Sequence, residues 1–196
     1  MIAAFSLLVA ALPAWADPVA LRAPGPYAGV VAVAGWPDPS VGLWRDRLGV
    51  ALTVHEGAAV ALDAAYRWTP HRREIPGRGR VALDLAVAGG PVVPVVVAGG
   101  GLTLGPQVVL RRHRPGGTWS GSLAAPAAWV FTSAGGQARL PVLAGNGFTL
   151  ERGRLGVGVH AEAGPVWSPG APVALSGRLG LVVARSSRDG ERDQPR

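Results

Sequence analysis

The clearest pattern in the chain runs through Arg47–Trp68, RLGVALTVHEGAAVALDAAYRW. Leu48, Val50, Leu52 and Val54 alternate with Gly49, Ala51, Thr53 and His55. Val60, Leu62, Ala64, Tyr66 and Trp68 then alternate with Ala61, Asp63, Ala65 and Arg67. A period of two is the strand period, because successive side chains point to opposite faces of a sheet. One face is aliphatic and ends in two aromatics, whereas the other is small, polar and charged. Each arm is about ten residues, the length that crosses a bilayer as a tilted strand. Glu56-Gly57-Ala58 joins the arms as a tight turn.

The rest of the chain varies this hairpin. Tyr27–Trp36 is a strand with valines on both parities, and Pro37–Asp46 is a loop with two prolines. Thr69–Gly79 is expected to be a polar loop. In Arg80–Ala88, Val81, Leu83, Leu85 and Val87 oppose Ala82, Asp84, Ala86 and Ala88, and Gly89-Gly90-Pro91 is read as a turn. Val92–Arg112 fits two short strands around Gly99-Gly100-Gly101 or one long bent strand. After a basic turn at His113–Gly117, Trp119, Gly121, Leu123 and Ala125 form the apolar parity that Trp129 and Phe131 continue. Gly135-Gly136 turns the chain. Gln137–Leu143 and Phe148–Arg152 are short strands separated by Gly145-Asn146-Gly147. In Arg154–Val166, Leu155, Val157, Val159 and Ala161 oppose Gly158, His160 and Glu162. In Ala174–Arg185, Leu175, Leu179, Leu181 and Val183 oppose Ser176 and Arg178.

Many short strands with frequent turns mean a β-sandwich or a β-barrel. The second parity discriminates between them. A soluble sandwich needs a richly charged outer face, but here that parity is mostly Gly, Ala, Ser and Thr with a few ionised groups. Small residues with sparse opposite charges suit the crowded interior of a narrow barrel, with the aliphatic parity turned to lipid. The expectation is an all-β fold: a single antiparallel up-and-down transmembrane β-barrel of about eight strands, ten being allowed, over residues 27–185. The alternative is a soluble exported β-sandwich that binds a ligand.

Composition narrows the function classes. Of 196 residues, 48% are hydrophobic and 16% charged, which argues against intrinsic disorder. There is no cysteine, so thiolate metal sites and disulfides are excluded. The net charge is +7, carried entirely by arginine. With isoleucine nearly absent, this looks like GC-rich coding bias. The functional reading of the charge is contact with anionic lipid headgroups or phosphates. Nucleic acid is disfavoured, because the basic segments lack interleaved aromatics for base stacking.

Residues 1–16, MIAAFSLLVAALPAWA, have the apolar core and small-x-small end of a secretory signal peptide. Residues 17–26 are a proline-punctuated lead-in, and 186–196 a polar tail read as disordered. No later stretch resembles a transmembrane helix. With this export signal and the spanning-length alternating strands, and with Trp36, Trp44 and Trp68 flanking loops on one side, the chain resembles the small outer-membrane β-barrel proteins of Gram-negative bacteria. The last strand ends on Arg185, where such barrels usually carry an aromatic. The resemblance implies an outer-membrane address and lipid as the surrounding partner, with the periplasm or secretion as the alternative address.

The candidate site is a lumenal charge network of Asp63, Arg67, Asp84, Glu162 and Arg178, with His55 and His160 at its margin. Two arginines against three carboxylates leave one negative charge for a protonated histidine or water to offset. Arg72, Arg73 and Arg78 in the Thr69–Gly79 loop are candidates for lipopolysaccharide phosphates, if that loop faces outward. No enzyme fingerprint is present. His160 with Glu162 only partly matches the His and Ser spaced two apart in lipid-modifying barrels, so a non-enzymatic structural or surface role leads and a lipid-modifying enzyme is the second alternative. His71 and His113 lie among arginines, where like charge opposes a metal, so no metal and no cofactor are assigned.

Overall fold

A computed structural model describes residues 29–36, 39–45, 47–55, 59–77, 79–95, 98–133 and 135–186. The expected signal peptide, lead-in and polar tail beyond Ser186 lie outside the described residues, as do the Glu56-Gly57-Ala58 turn and Arg78. The fold is all-β and antiparallel. Its segments are β1 (Gly29–Trp36), β2 (Ser40–Arg45), β3 (Leu48–His55), β4 (Ala59–Ile75), β5 (Gly79–Pro94), β6 (Gly99–Arg114), β7 (Gly117–Ala124), β8 (Ala127–Thr132), β9 (Gly135–Pro141), β10 (Leu143–Arg152), β11 (Leu155–Trp167) and β12 (Ala174–Ser186).

Sequential neighbours pair up and down from β1 to β7, and β12 pairs back onto the whole length of β1, so the ladder closes on itself. β7 and β8 act as one strand against β6. Arg112 faces Trp119 and Leu102 faces Trp129, with no change of register between them. The break falls where Pro106 and Pro126, which lack N–H groups, interrupt the ladder, and the Ala125 N–H still donates to the Pro106 carbonyl at 3.1 Å. β9 and β10 are likewise one strand against β11. Their break faces Pro165, whose carbonyl accepts from the Val142 N–H at 2.9 Å. Merging these two pairs turns the twelve described segments into ten staves, more than the eight expected first. An even number puts both ends of the ring, Gly29 and Ser186, at the same mouth. The turns Arg45–Leu48, Ile75–Gly79, Arg114–Gly117 and Arg152–Leu155 share that mouth.

Several expected turns are strand interior. Gly89-Gly90-Pro91 lies inside β5 and Gly145-Asn146-Gly147 inside β10. Gly89 and Gly90 serve close backbone approach: a Cβ on Gly90 would collide with the Leu62 carbonyl. Thr69–Gly79 is not a loop either. β4 continues to Ile75 through an irregularity between Trp68 and His71, leaving only a short turn around Gly77, whose φ is +68°. His71 and His113 are therefore strand residues.

The polarity of the closed sheet is inverted relative to a water-soluble core. Leu52, Leu62, Val157 and Leu181 are 42–60% exposed on the outer face. Leu83, expected with them, is half-buried. The inward parity holds Ala51, Ala61, Ala65, Ala82 and Ala88 together with the charged groups, all nearly closed to solvent. Trp44, expected to flank a loop, lies within β2 and points inward, so part of the expected Pro37–Asp46 loop is strand. Its ring covers Gly49, its cross-strand partner, and the Arg67 guanidinium stacks on the ring 4.3 Å from its centroid. Trp36 ends β1 at the mouth opposite Trp68, so these tryptophans do not share a side. A Cβ on Gly49 would lie 2.8–2.9 Å from the Trp44 ring. Gly49→Ala is therefore expected to cost about 1–3 kcal/mol by overpacking, read as a lowered urea midpoint with a shifted tryptophan emission.

Candidate lumenal charge network

Six of the seven expected lumenal residues face the interior: Asp63, Arg67, Asp84, His160, Glu162 and Arg178 are all buried. His55 ends β3, and its side chain lies outside the described residues. Their carboxylates mark three stations, each built by its own local sequence.

The first station is Asp63. Pro91 has no N–H, and the β4–β5 ladder skips from Ala61–Val92 to Ala64–Gly89. The Gly90 N–H, released from that ladder, donates to Thr103 Oγ1 at 3.1 Å, and the Thr103 hydroxyl donates to Asp63 Oδ1. The carboxylate thus sits where a proline interrupts the ladder. The second station is Asp84. The Thr69 hydroxyl donates to its Oδ1 at 2.7 Å, and Arg111 Nε lies 3.1 Å from its Oδ2, an ion pair with poor hydrogen-bond alignment. The third is Glu162, directly across the ladder from Arg178, whose Nη1 donates to Oε1 at 3.4 Å. His160 Nε2 lies 3.5 Å from Glu162 Oε2. Glycines make room here. His160 is flanked by Gly147 and Gly180, and Glu162 by Gly145, where a Cβ would come within 3.1 Å of the glutamate Cβ.

Arg111, absent from the expected set, changes the charge balance. With it the deep lumen holds Arg67, Arg111 and Arg178 against Asp63, Asp84 and Glu162. The expected surplus of one negative charge is corrected to parity, and no protonated histidine is needed. The signal was present: Leu102, Leu104, Val108 and Leu110 define the outward parity of β6, and this places Thr103, Gln107 and Arg111 inward.

The mouth that carries the termini holds a second polar group. His113 Nδ1 lies 2.8 Å from Thr118 Oγ1, and the Thr118 hydroxyl donates to Glu151 Oε1 at 2.6 Å. Arg80 pairs with Glu74 at 3.0 Å. Arg72 and Arg73, expected together, are both exposed in the extension of β4, on opposite parities and at this same mouth. The side chains that reach bulk water are thus at the mouth, whereas His160 and Glu162 are 1% exposed. No family model matches the chain, and neither a curated protein nor a solved structure matches it.

Proposed function

We propose that the chain is a non-enzymatic outer-membrane β-barrel with a structural or surface role, its outer wall in lipid and its lumen filled by paired side chains rather than open as a pore. The observation that carries this reading is the inverted polarity: aliphatic side chains exposed along the outward parity of the described strands beyond β1, and buried charges inside the closed sheet. A water-soluble chain with this hydrophobic content gains free energy by burying those leucines and valines. Lipid removes that drive and requires instead that every backbone group be paired, which ladder closure supplies.

The spacing of aromatics supports the same reading. Tyr66, Trp68, Trp119 and Phe148 are outward toward the mouth with the termini, and Trp129, Phe131 and Trp167 toward the other. Ten residues separate Trp119 from Trp129. At about 3.3 Å per residue and a tilt of roughly 40°, the two aromatic levels are about 25 Å apart, the height of the apolar band of a membrane barrel. Burial of His160 and Glu162 inside the wall keeps them from a bilayer substrate, which favours a structural role for them over catalysis.

The partners in this reading are membrane lipids. Lipopolysaccharide reaches Arg72 and Arg73 only if the mouth with both termini faces the cell exterior. Refolding into vesicles whose acyl chains are brominated near mid-chain tests the proposal. Quenching of most of the tryptophan emission is expected, with Trp44 shielded in the lumen. Recovery from cells in the detergent-free soluble fraction, with unquenched emission, would sink it.

A further inference from the structure

Charge is sorted on this barrel by parity and by end. Among the described residues all five carboxylates, Asp63, Glu74, Asp84, Glu151 and Glu162, stand on the inward parity. The arginines of the outward parity, Arg45, Arg73, Arg112, Arg114, Arg152 and Arg185, all lie near the mouth with the termini. The outer wall is therefore uniformly cationic at one rim and carries no described carboxylate to neutralise it.

One part of that rim is a shaped site. Outside β6, β7 and β10 a groove of about 590 Å³ is lined by Arg112, Arg114, Gly117, Trp119, Phe148 and Leu150, with Pro115 and Gly116 at its edge. The ladder explains its form. Arg112 stands opposite Trp119 and Trp119 opposite Phe148, while Arg114 stands opposite Gly117 and Gly117 opposite Leu150. Gly117 has no side chain, so in the second row the Phe148 ring leans over its backbone between a guanidinium and a leucine. A Cβ there would lie 2.8 Å from the Thr149 carbonyl and 3.2 Å from the Phe148 ring. Arg112 Nε is buried at the groove and has no hydrogen-bond partner.

We propose that this groove binds one anionic glycerophospholipid, its phosphate held by Arg112 and Arg114 and one acyl chain lying down the wall over Trp119, Phe148 and Leu150. Two forked guanidinium groups match a phosphate diester, and Trp119, Phe148 and Leu150 give the groove an apolar half that an acyl chain fits. A free phosphate would leave that half unused. The inference rests on the membrane-barrel reading and names the lipid at one place on its surface. The leaflet is the one on the side of the termini.

Native mass spectrometry of the full chain, refolded in detergent and titrated with dioleoyl phosphatidylglycerol, tests it. The expected result is one tightly retained lipid. Binding should be about tenfold weaker in Arg112→Gln and weaker again in the double variant with Arg114→Gln. Arg45→Gln, on the same rim but outside the groove, should bind like the parent. Equal retention of dioleoyl phosphatidylcholine, tighter retention of lipopolysaccharide, full displacement by millimolar inorganic phosphate, or an unchanged double variant would each overturn the proposal. Flotation of the same preparations with vesicles separates the two readings. Protein that floats but retains no anionic lipid overturns the groove alone, whereas protein that does not float overturns both.

Discussion

Arg111→Ala is expected to destabilise the barrel by about 3–5 kcal/mol, the range for removing one partner of a buried ion pair. Arg111 and Asp84 are 4% and 1% exposed. Deleting the guanidinium leaves a carboxylate whose one remaining donor of those described above is the Thr69 hydroxyl. A carboxylate desolvated to that degree is held at a cost of several kcal/mol. The large effect is therefore the penalty of the orphaned charge and not the worth of the pair. The double variant Arg111→Met with Asp84→Asn separates the two: with both charges gone, most of the loss should be recovered. Urea unfolding in vesicles measures this, with an unchanged m-value confirming that the same surface is exposed on unfolding. A loss below about 1 kcal/mol in Arg111→Ala would mean that water reaches Asp84 and that the lumen is wetter than its burial implies.

The faces of the strands were legible because contrast at period two is strong in Leu48–His55, Ala59–Trp68, Val81–Ala88 and Leu155–Glu162. There the sorting into aliphatic outside and charged inside follows from parity alone. Strand ends were not legible, since glycine and proline carry two meanings. In Gly89-Gly90-Pro91 and Gly145-Asn146-Gly147 they permit close approach within the sheet, although the same tripeptides elsewhere make turns. Thr69–Gly79 was misread for a related reason. The irregularity after Trp68 shifts parity, so Arg72 and Arg73 look like a loop charge run when they continue β4. Trp44 falls in the proline-rich stretch Pro37–Asp46, which shows no alternation and so reads as a loop. Its inward direction follows from pairing with Gly49, which is a matter of register. Arg111 sits in Arg111-Arg112-His113-Arg114, where both parities are charged and local contrast vanishes. Only the aliphatic residues upstream on β6 assign it.

Arginine placed along the outer wall should give a depth profile that water cannot produce. Leu123 is 51% exposed, lies between the two aromatic levels, and faces Val108 and Ala144 across the ladder. If that surface meets hydrocarbon, Leu123→Arg should lose about 2–4 kcal/mol in phospholipid vesicles, because a guanidinium near the midplane must drag water and headgroups toward it. Leu155 is equally exposed but stands beside Arg185 at the rim. There Leu155→Arg should cost only about 0–1 kcal/mol, since the side chain reaches the interface directly. Both sites are exposed β-strand leucines, so a water-facing wall predicts the same small change at each, within about 0.5 kcal/mol. The difference between the two variants, measured by urea unfolding in identical vesicles, cancels what leucine and arginine contribute intrinsically and leaves depth. A gap of roughly 2 kcal/mol or more is the expected result. Equal effects at the two positions would place the aliphatic face in water and return the chain to the soluble class.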